Sequence, residues 1–117
     1  RPGRGSTPIA HRVLPRSAWN TAMVIGVCRL DLLMRENGSL KEKRRIVKQI
    51  IDRVKHRFNV SIAEVGNNDL WQSAQLGLCL VSNDRRFTNS SLDTILDFIE
   101  TINVAEVVKS DIEILTL

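Results

Sequence analysis

The chain has 117 residues, of which 43% are hydrophobic and 26% charged, a balance typical of one globular domain with a modest core. No apolar run reaches the roughly 18 residues of a membrane-spanning helix, so we expect a protein without a membrane span. The net charge of +4 comes from four arginines in the first 22 residues, because the remainder carries 13 basic and 13 acidic side chains. The basic isoelectric point is therefore no argument that the folded domain binds nucleic acid.

Residues 1–22 are rich in proline, glycine, serine and arginine and show no hydrophobic periodicity. We interpret them as a disordered or accessory basic extension, without the apolar core of a secretory signal. An expression remnant or a misassigned upstream segment is the favoured origin, and the remainder of an organellar targeting peptide is the alternative. A single folded domain is expected over residues 23–117.

The stretch from Met23 to Met34 alternates between apolar and polar side chains, which predicts a strand with one buried face. A polar turn then leads into residues 39–58, where apolar residues recur at helical spacing among many lysines and arginines. Ser39 and Glu42 have the spacing of a capping box, in which each side chain accepts a backbone N–H of the other. These features predict a basic amphipathic helix over 39–58.

The second half of the chain is predicted to hold two strands, a helix and a last strand. A β-branched stretch at 59–65, a turn at 66–69 and an apolar stretch at 70–82 predict a hairpin of two strands. A second amphipathic helix, acidic on its exposed side, is predicted over 86–101, and a last strand over 105–117. The residues of the third strand expected to face the core are Leu70, Ala74, Leu76, Leu78 and Leu80.

The order β-α-β-β-α-β predicts an α+β fold, namely a ferredoxin-like split sandwich. Right-handed crossovers would place both helices on one face of a four-stranded antiparallel sheet. The other face of the sheet would then be open. In so small a domain we expect that face to carry polar residues, a partner chain or a ligand.

Five blocks of this sequence resemble the YlxP-like family, a group of small bacterial proteins described as a domain of unknown function. The resemblance covers residues 23–117 and implies a ferredoxin-like fold. It also implies a link to translation, because the family's gene tends to lie among genes for translation initiation and ribosome maturation. It supplies no catalytic residues. The blocks are CRLDL at 28–32, SLKEKRRIVK at 39–48, RFNVSIAEV at 57–65, DLWQ at 69–72 and LVSND at 80–84.

The charge of the predicted domain is polarised along the chain. Residues 23–57 carry ten basic and four acidic side chains, whereas residues 58–117 carry three and nine. Basic groups on one helix can neutralise RNA phosphates and release counterions, so the first helix is a candidate RNA-binding surface. The alternative is a solvated helix whose charges only maintain solubility. The candidate RNA-binding residues are Lys41, Lys43, Arg44, Arg45, Lys48 and Arg57.

The open face of the predicted sheet is a candidate protein interface. The chain has no tyrosine, and among the central strands only Trp71 is aromatic, so base stacking on the sheet itself is not expected. Trp71 has two interpretations: a partner anchor, or, as the favoured one, a residue that packs over the hairpin. A second copy of the chain could pair on this face as a homodimer. The candidate interface residues are Val27, Arg29, Asp31, Trp71 and Gln75.

The sequence contains none of the catalytic motifs considered next. It has no Ser-His-Asp spacing, no His-Cys cluster and no glycine-rich phosphate loop, so we expect a non-enzymatic protein without catalytic residues, cofactor or metal ligands. The carboxylates that strand ends might bring together, Asp31, Glu64, Asp69 and Asp84, are too scattered to predict a cation site.

Cys28 and Cys79 both lie in apolar stretches. Reduced, buried thiols of a cytoplasmic protein are the favoured interpretation, with a disulfide between neighbouring strands as the alternative. The preferred functional hypothesis is a cytoplasmic protein that associates with ribosomal RNA or a ribosomal subunit. The competing hypothesis is a homodimeric scaffold or regulatory module that binds a protein partner through the open face.

Overall fold

The computed structural model describes residues 11–117, and the predicted order of strands and helices is confirmed. The extension predicted for residues 1–22 lies outside the described residues over 1–10, and its remainder holds a short 3-10 helix at Arg16–Ala18 with no buried residue. The regular elements are β1 Val24–Leu33, α1 Leu40–Arg57, β2 Ser61–Gly66, β3 Ser73–Ser82, α2 Arg85–Ile102 and β4 Glu106–Thr116.

The four strands form one antiparallel sheet in the order β2-β3-β1-β4. Both helices pack on one face of this sheet, and one hydrophobic cluster joins them to β1 and β3. The predicted α+β sandwich is therefore confirmed. The face that the helices leave uncovered is called the open face below.

The core follows the alternation of the two central strands. Side chains of even-numbered residues in β1 and β3 point toward the helices, and paired positions such as Leu30 and Leu76 meet beneath them. Leu30, Leu76 and Leu92 of α2 are fully buried, so the apolar side chains of the central strands are removed from water where the helices cover the sheet.

Both helices begin at a side-chain cap. The Ser39 hydroxyl accepts a hydrogen bond from the Glu42 amide at 3.1 Å, as predicted. The reciprocal hydrogen bond of the capping box, from the Ser39 amide to the Glu42 carboxylate, is absent. The carboxylate instead forms a charge-assisted contact with Arg45 at 2.6 Å. In α2, Asp84 accepts from the amides of Arg86 and Phe87.

The prediction that Leu70 faces the core is wrong. β3 begins only at Ser73, and the Leu70 amide donates to the Asn67 carbonyl at 3.0 Å, so the chain is still turning at Leu70. The turn directs the Leu70 side chain outward, where it is 52% exposed. The adjoining prediction that Trp71 packs over the hairpin is also wrong, since Trp71 is 54% exposed.

Both cysteines are free thiols, and they lie on opposite faces of the sheet. Cys28 is buried in the core, and burial, with a smaller contribution from Asp111, raises the pKa of its thiol to about 11. Cys79 pairs with Val27 on the open face and is half-buried, so the prediction of two buried thiols holds only for Cys28. Because the side chains diverge, the alternative of a strand-to-strand disulfide is wrong.

Candidate nucleic-acid interface

The basic side chains of α1 fall into groups with different surroundings. Lys41, Arg44, Lys48 and Lys55 follow one another at spacings of three, four and seven residues, which places them on one side of a helix. We call these four residues the basic flank. The opposite side of α1 meets α2, where the guanidinium of Arg53 lies 5.8 Å from the centre of the Phe98 ring. The basic flank therefore faces away from α2 and into solvent.

Three residues of the basic flank have no counter-charge in the part of the chain that the structure describes. No hydrogen bond or ion pair within residues 11–117 involves the side chain of Lys41, Arg44 or Lys55. Lys48 pairs with Asp52 at 2.6 Å in an exposed contact. An exposed pair of this kind contributes little stability and exchanges readily for another anion.

Arg45 and Arg57, both predicted RNA contacts, already have partners on the protein. Arg45 contacts the Glu42 carboxylate at 2.6 and 2.7 Å, and the hydrogen bond raises the pKa of the guanidinium above its ordinary value. The guanidinium of Arg57 lies 4.9 Å from the centre of the Phe98 ring, a cation–π contact that joins α1 to α2. Arg57 thus lies on the far side of α1 from the basic flank.

The prediction that Lys43 contacts RNA is wrong, because its side chain is completely buried. Its ammonium lies 2.9 Å from Oε2 of Glu64, and its hydrogen bond goes to the carbonyl oxygen of Asn67. Lys43 is four residues before Val47 and seven before Ile50, so it belongs to the buried side of α1. This helical spacing would have identified Lys43 as a buried residue, whereas the residue type, lysine, suggested an exposed one.

Lys43 is part of a polar cluster that joins the start of α1 to the turn between β2 and β3. We call the cluster of Asn37, Lys43, Asn67 and Gln72 the polar clasp. The Asn37 amide donates to the carbonyl oxygens of Trp71 and Ser39. The Gln72 amide donates to the carbonyl oxygens of Arg35 and Asn37, each at 3.0 Å. The clasp therefore fixes the turn against the first turn of α1.

Four of the five predicted interface residues lie together on the open face. Val27, Arg29 and Asp31 alternate along β1, and the Gln75 amide of β3 donates to the Asp31 carboxylate at 2.9 Å. Trp71 does not join them, because it precedes β3 and lies in the turn that the polar clasp holds.

A cleft of about 1090 Å³ lies between the start of α1 and the end of α2. Four carboxylates and the guanidinium of Arg35 line this cleft. The guanidinium contacts the carboxylate of Glu106 at 3.3 Å. An acidic lining disfavours a phosphate ligand here, although the cleft borders a helix N-terminus. The four carboxylates belong to Glu36, Glu42, Glu100 and Glu106.

Neither a metal-binding cluster nor a membrane-spanning helix occurs within residues 11–117. No group of three or more histidine, cysteine or acidic side chains within 11–117 is placed to hold a metal ion. Neither α1 nor α2, the long helices of that range, is apolar enough to cross a membrane.

The fold and the site together define a class of protein: a small α+β domain with one open antiparallel sheet and an exposed basic helix. The model of the family described as "Protein of unknown function (DUF503)" matches residues 25–112, so the chain belongs to that family. This match confirms the family resemblance seen in the sequence blocks.

The chain is also similar to individual proteins. It is 41% identical over 78 residues to "Uncharacterized protein YlxP" of Bacillus subtilis (strain 168), a match over 67% of this chain and 85% of that protein. Among solved structures, the de novo designed protein Foldit4 matches 81% of this chain and 96% of its own, with 20% identity and a TM-score of 0.45. A mutant of SnoaB, a cofactor-independent oxygenase from Streptomyces nogalater, matches 81% of this chain and 92% of its own, with 13% identity and a TM-score of 0.42.

Proposed function

We propose that this protein binds RNA through the basic flank of α1, by contacts to the phosphate backbone. The observation that carries the proposal is the set of three exposed cations, Lys41, Arg44 and Lys55, that no acidic group pairs within the described chain. These three cations can contact phosphates without breaking an ion pair of the described chain, whereas Lys48 would first have to leave Asp52.

The distribution of charge around the flank supports the same conclusion. α1 carries eight basic and two acidic side chains, and of the eight basic ones only Lys43 is neutralised inside the fold. The flank extends from Lys41 to Lys55, which corresponds to about 21 Å at the rise of an α-helix. A straight row of cations follows a sugar-phosphate backbone but reads no base edges, so we propose binding with little sequence preference.

Ribosomal RNA, free or within a ribosomal subunit, is the partner we propose. The reason is the association with translation genes that the family resemblance implies, and we propose the cytoplasm as the compartment. The proposed function is binding without catalysis, and it requires no cofactor.

Reversing the three unpaired charges should abolish most of the binding. With Lys41→Glu, Arg44→Glu and Lys55→Glu together, affinity for RNA at moderate salt should fall about 100-fold, and the slope of log affinity against log salt should decrease by about 2. Both quantities can be measured in the full chain by fluorescence anisotropy with a labelled ribosomal RNA fragment over a salt series. Co-sedimentation with separated ribosomal subunits then shows which subunit is bound.

The matched control changes the net charge equally at sites away from α1. Arg29→Glu, Arg86→Glu and Lys109→Glu alter three exposed basic residues of β1, α2 and β4. Because both variants retain the four arginines of the first 22 residues, that segment contributes equally to the RNA affinity of each variant. An equal loss of affinity in the two variants, with the oligomeric state of both unchanged in sedimentation equilibrium, would show general charge attraction and would contradict a role for the flank.

The open face supports a second candidate function, association with another copy of the chain. At the end of the sheet where β1 begins, the open face carries a group of apolar residues that no described element covers. Val27 and Val81 are exposed there, and Ile25, Cys79 and Leu115 are partly exposed beside them. A two-fold axis would pair this apolar group with its own copy. Two basic flanks would then act together on one RNA.

If the chain forms this homodimer, Val27→Glu with Val81→Glu should convert it to a monomer, because four carboxylates would be buried at the interface. Sedimentation equilibrium of the full chain measures the change. Phe87→Glu is the control, since Phe87 of α2 is as exposed as Val81, at 60% against 62%, but lies away from the sheet. A monomeric wild-type chain at high concentration would exclude the homodimer.

A further inference from the structure

Two large apolar side chains are exposed side by side in the turn between β2 and β3. Leu70 and Trp71 are 52% and 54% exposed, and Val65 at the end of β2 is also exposed. Single exposed apolar residues are common, but two neighbouring ones that include a tryptophan are typical of a binding surface.

Hydrogen bonds from neighbouring elements hold the turn that carries Trp71. Asn67 has a φ of 60°, a left-handed backbone that asparagine tolerates, and its carbonyl accepts hydrogen bonds from the Leu70 amide and from buried Lys43. Directly after the residue that carries the indole, the Trp71 carbonyl accepts from Asn37, and the Gln72 carbonyl accepts from the Met34 amide at 2.8 Å. The indole is therefore presented to solvent by a preorganised backbone, which lowers the entropic cost of binding.

The same hydrogen bonds place Trp71 at the end of α1 where the basic flank begins. Asn37, which contacts the Trp71 carbonyl, precedes Lys41 by four residues, and Lys43 reaches Asn67 in the same turn. One aromatic plane and two unpaired cations, Lys41 and Arg44, thus share one end of the domain. This combination is what proteins use to bind single-stranded nucleic acid, with bases stacked on aromatic rings and phosphates held by cations.

We infer that Trp71 is a stacking platform for an unpaired base, and that the RNA bound by this protein is single-stranded at the site of contact. The inference rests on the proposed function and specifies its substrate class. In duplex RNA both faces of every internal base are already stacked, so an exposed indole gains little from it. A single platform without base-edge donors accepts any base, in keeping with the backbone contacts of the basic flank.

The test compares a single-stranded and a duplex probe of the same length, an oligouridylate of about 12 nucleotides and an RNA duplex of about 12 base pairs. Trp71→Ala in the full chain should weaken binding of the oligouridylate on the order of 10-fold and leave duplex binding unchanged. Trp71→Phe should restore most of the affinity. In a Trp19→Phe background, fluorescence then comes from Trp71 alone, and the oligouridylate should quench it.

Leu70→Ala is the matched control, because Leu70 is equally exposed in the same turn but offers no aromatic plane. The midpoint of thermal unfolding should be the same in the Leu70 and Trp71 variants, since neither side chain belongs to the core.

The possible outcomes separate the inference from the proposed function. If the triple reversal of Lys41, Arg44 and Lys55 weakens binding while Trp71→Ala does not, the inference is overturned and the proposed function stands. An equal loss on both probes, or a change in self-association without a change in RNA affinity, overturns the inference in favour of a structural or protein-binding role. A wild-type chain that binds neither probe overturns both.

Discussion

Replacement of Lys43 by methionine should lower the free energy of unfolding by about 3 to 5 kcal/mol, the loss typical when one partner of a buried ion pair is removed. The ammonium is completely buried, and the Glu64 carboxylate that it contacts is only 19% exposed. Without Lys43, a nearly buried negative charge has no counter-charge, and the Asn67 carbonyl loses a donor. Urea unfolding of the full chain, followed by circular dichroism, measures the change.

Lys41→Met provides the control for this measurement. It makes the same chemical change two residues earlier, at an exposed position of the basic flank, and should alter stability by less than about 0.5 kcal/mol. Lys43→Met combined with Glu64→Leu should recover most of the loss, because apolar residues can replace a buried ion pair at little cost. A single Lys43 variant as stable as Lys41→Met would show that the pair contributes nothing.

Lys43 also shows why stability and binding are connected in this fold. Its contact with Asn67 is one of the bonds that hold the turn carrying Trp71. If Lys43→Met leaves enough folded protein to assay, the turn should be looser and binding of single-stranded RNA weaker, with Lys41 and Arg44 unchanged. The role of Lys43 toward RNA is thus indirect, through the position of Trp71.

Much of the fold could be predicted from the sequence because its elements have clear periodicity. The alternation in β1, the apolar spacing of α1 and the Ser39 cap depend on local geometry, which operates within one element at a time. Rules of chain connection then limit the arrangement of six such elements to few topologies. The family resemblance pointed to the same fold.

The candidate site was less predictable because its members are brought together by long-range contacts. Burial of Lys43 depends on Glu64, 21 residues later, and the position of Arg57 depends on Phe98 in the other helix. Leu70 and Trp71 are apolar residues that face solvent, since hydrogen bonds from Asn37 and Gln72 determine where the turn ends and β3 begins. Spacing within α1 places Lys43 on the buried side of the helix, but no periodicity within one element reports which distant residue it contacts.

The other large effect is expected where α2 packs tightly against β1, at Gly26. An added Cβ at Gly26 would overlap Cγ2 of Thr88 and would lie 3.0 Å from Cδ1 of Leu92. Thr88 cannot turn away freely, because it is completely buried and its hydroxyl lies 2.7 Å from that of Ser82. Gly26→Ala should therefore destabilise the fold by about 2 to 3 kcal/mol, the upper part of the range for overpacking a core.

Two comparisons decide whether overlap with Thr88 causes the loss of stability in Gly26→Ala. Gly38→Ala is the control, since an added Cβ there would meet no described atom within 4 Å. Gly26→Ala with Thr88→Ser should recover most of the loss, because serine lacks the overlapping methyl group but retains the hydroxyl that faces Ser82. If the double variant is no more stable than Gly26→Ala, then Leu92 or the backbone of β1 limits the space. RNA affinity of the folded double variant should equal that of the wild type, since the overlap lies between β1 and α2 and touches neither the basic flank nor the turn that carries Trp71.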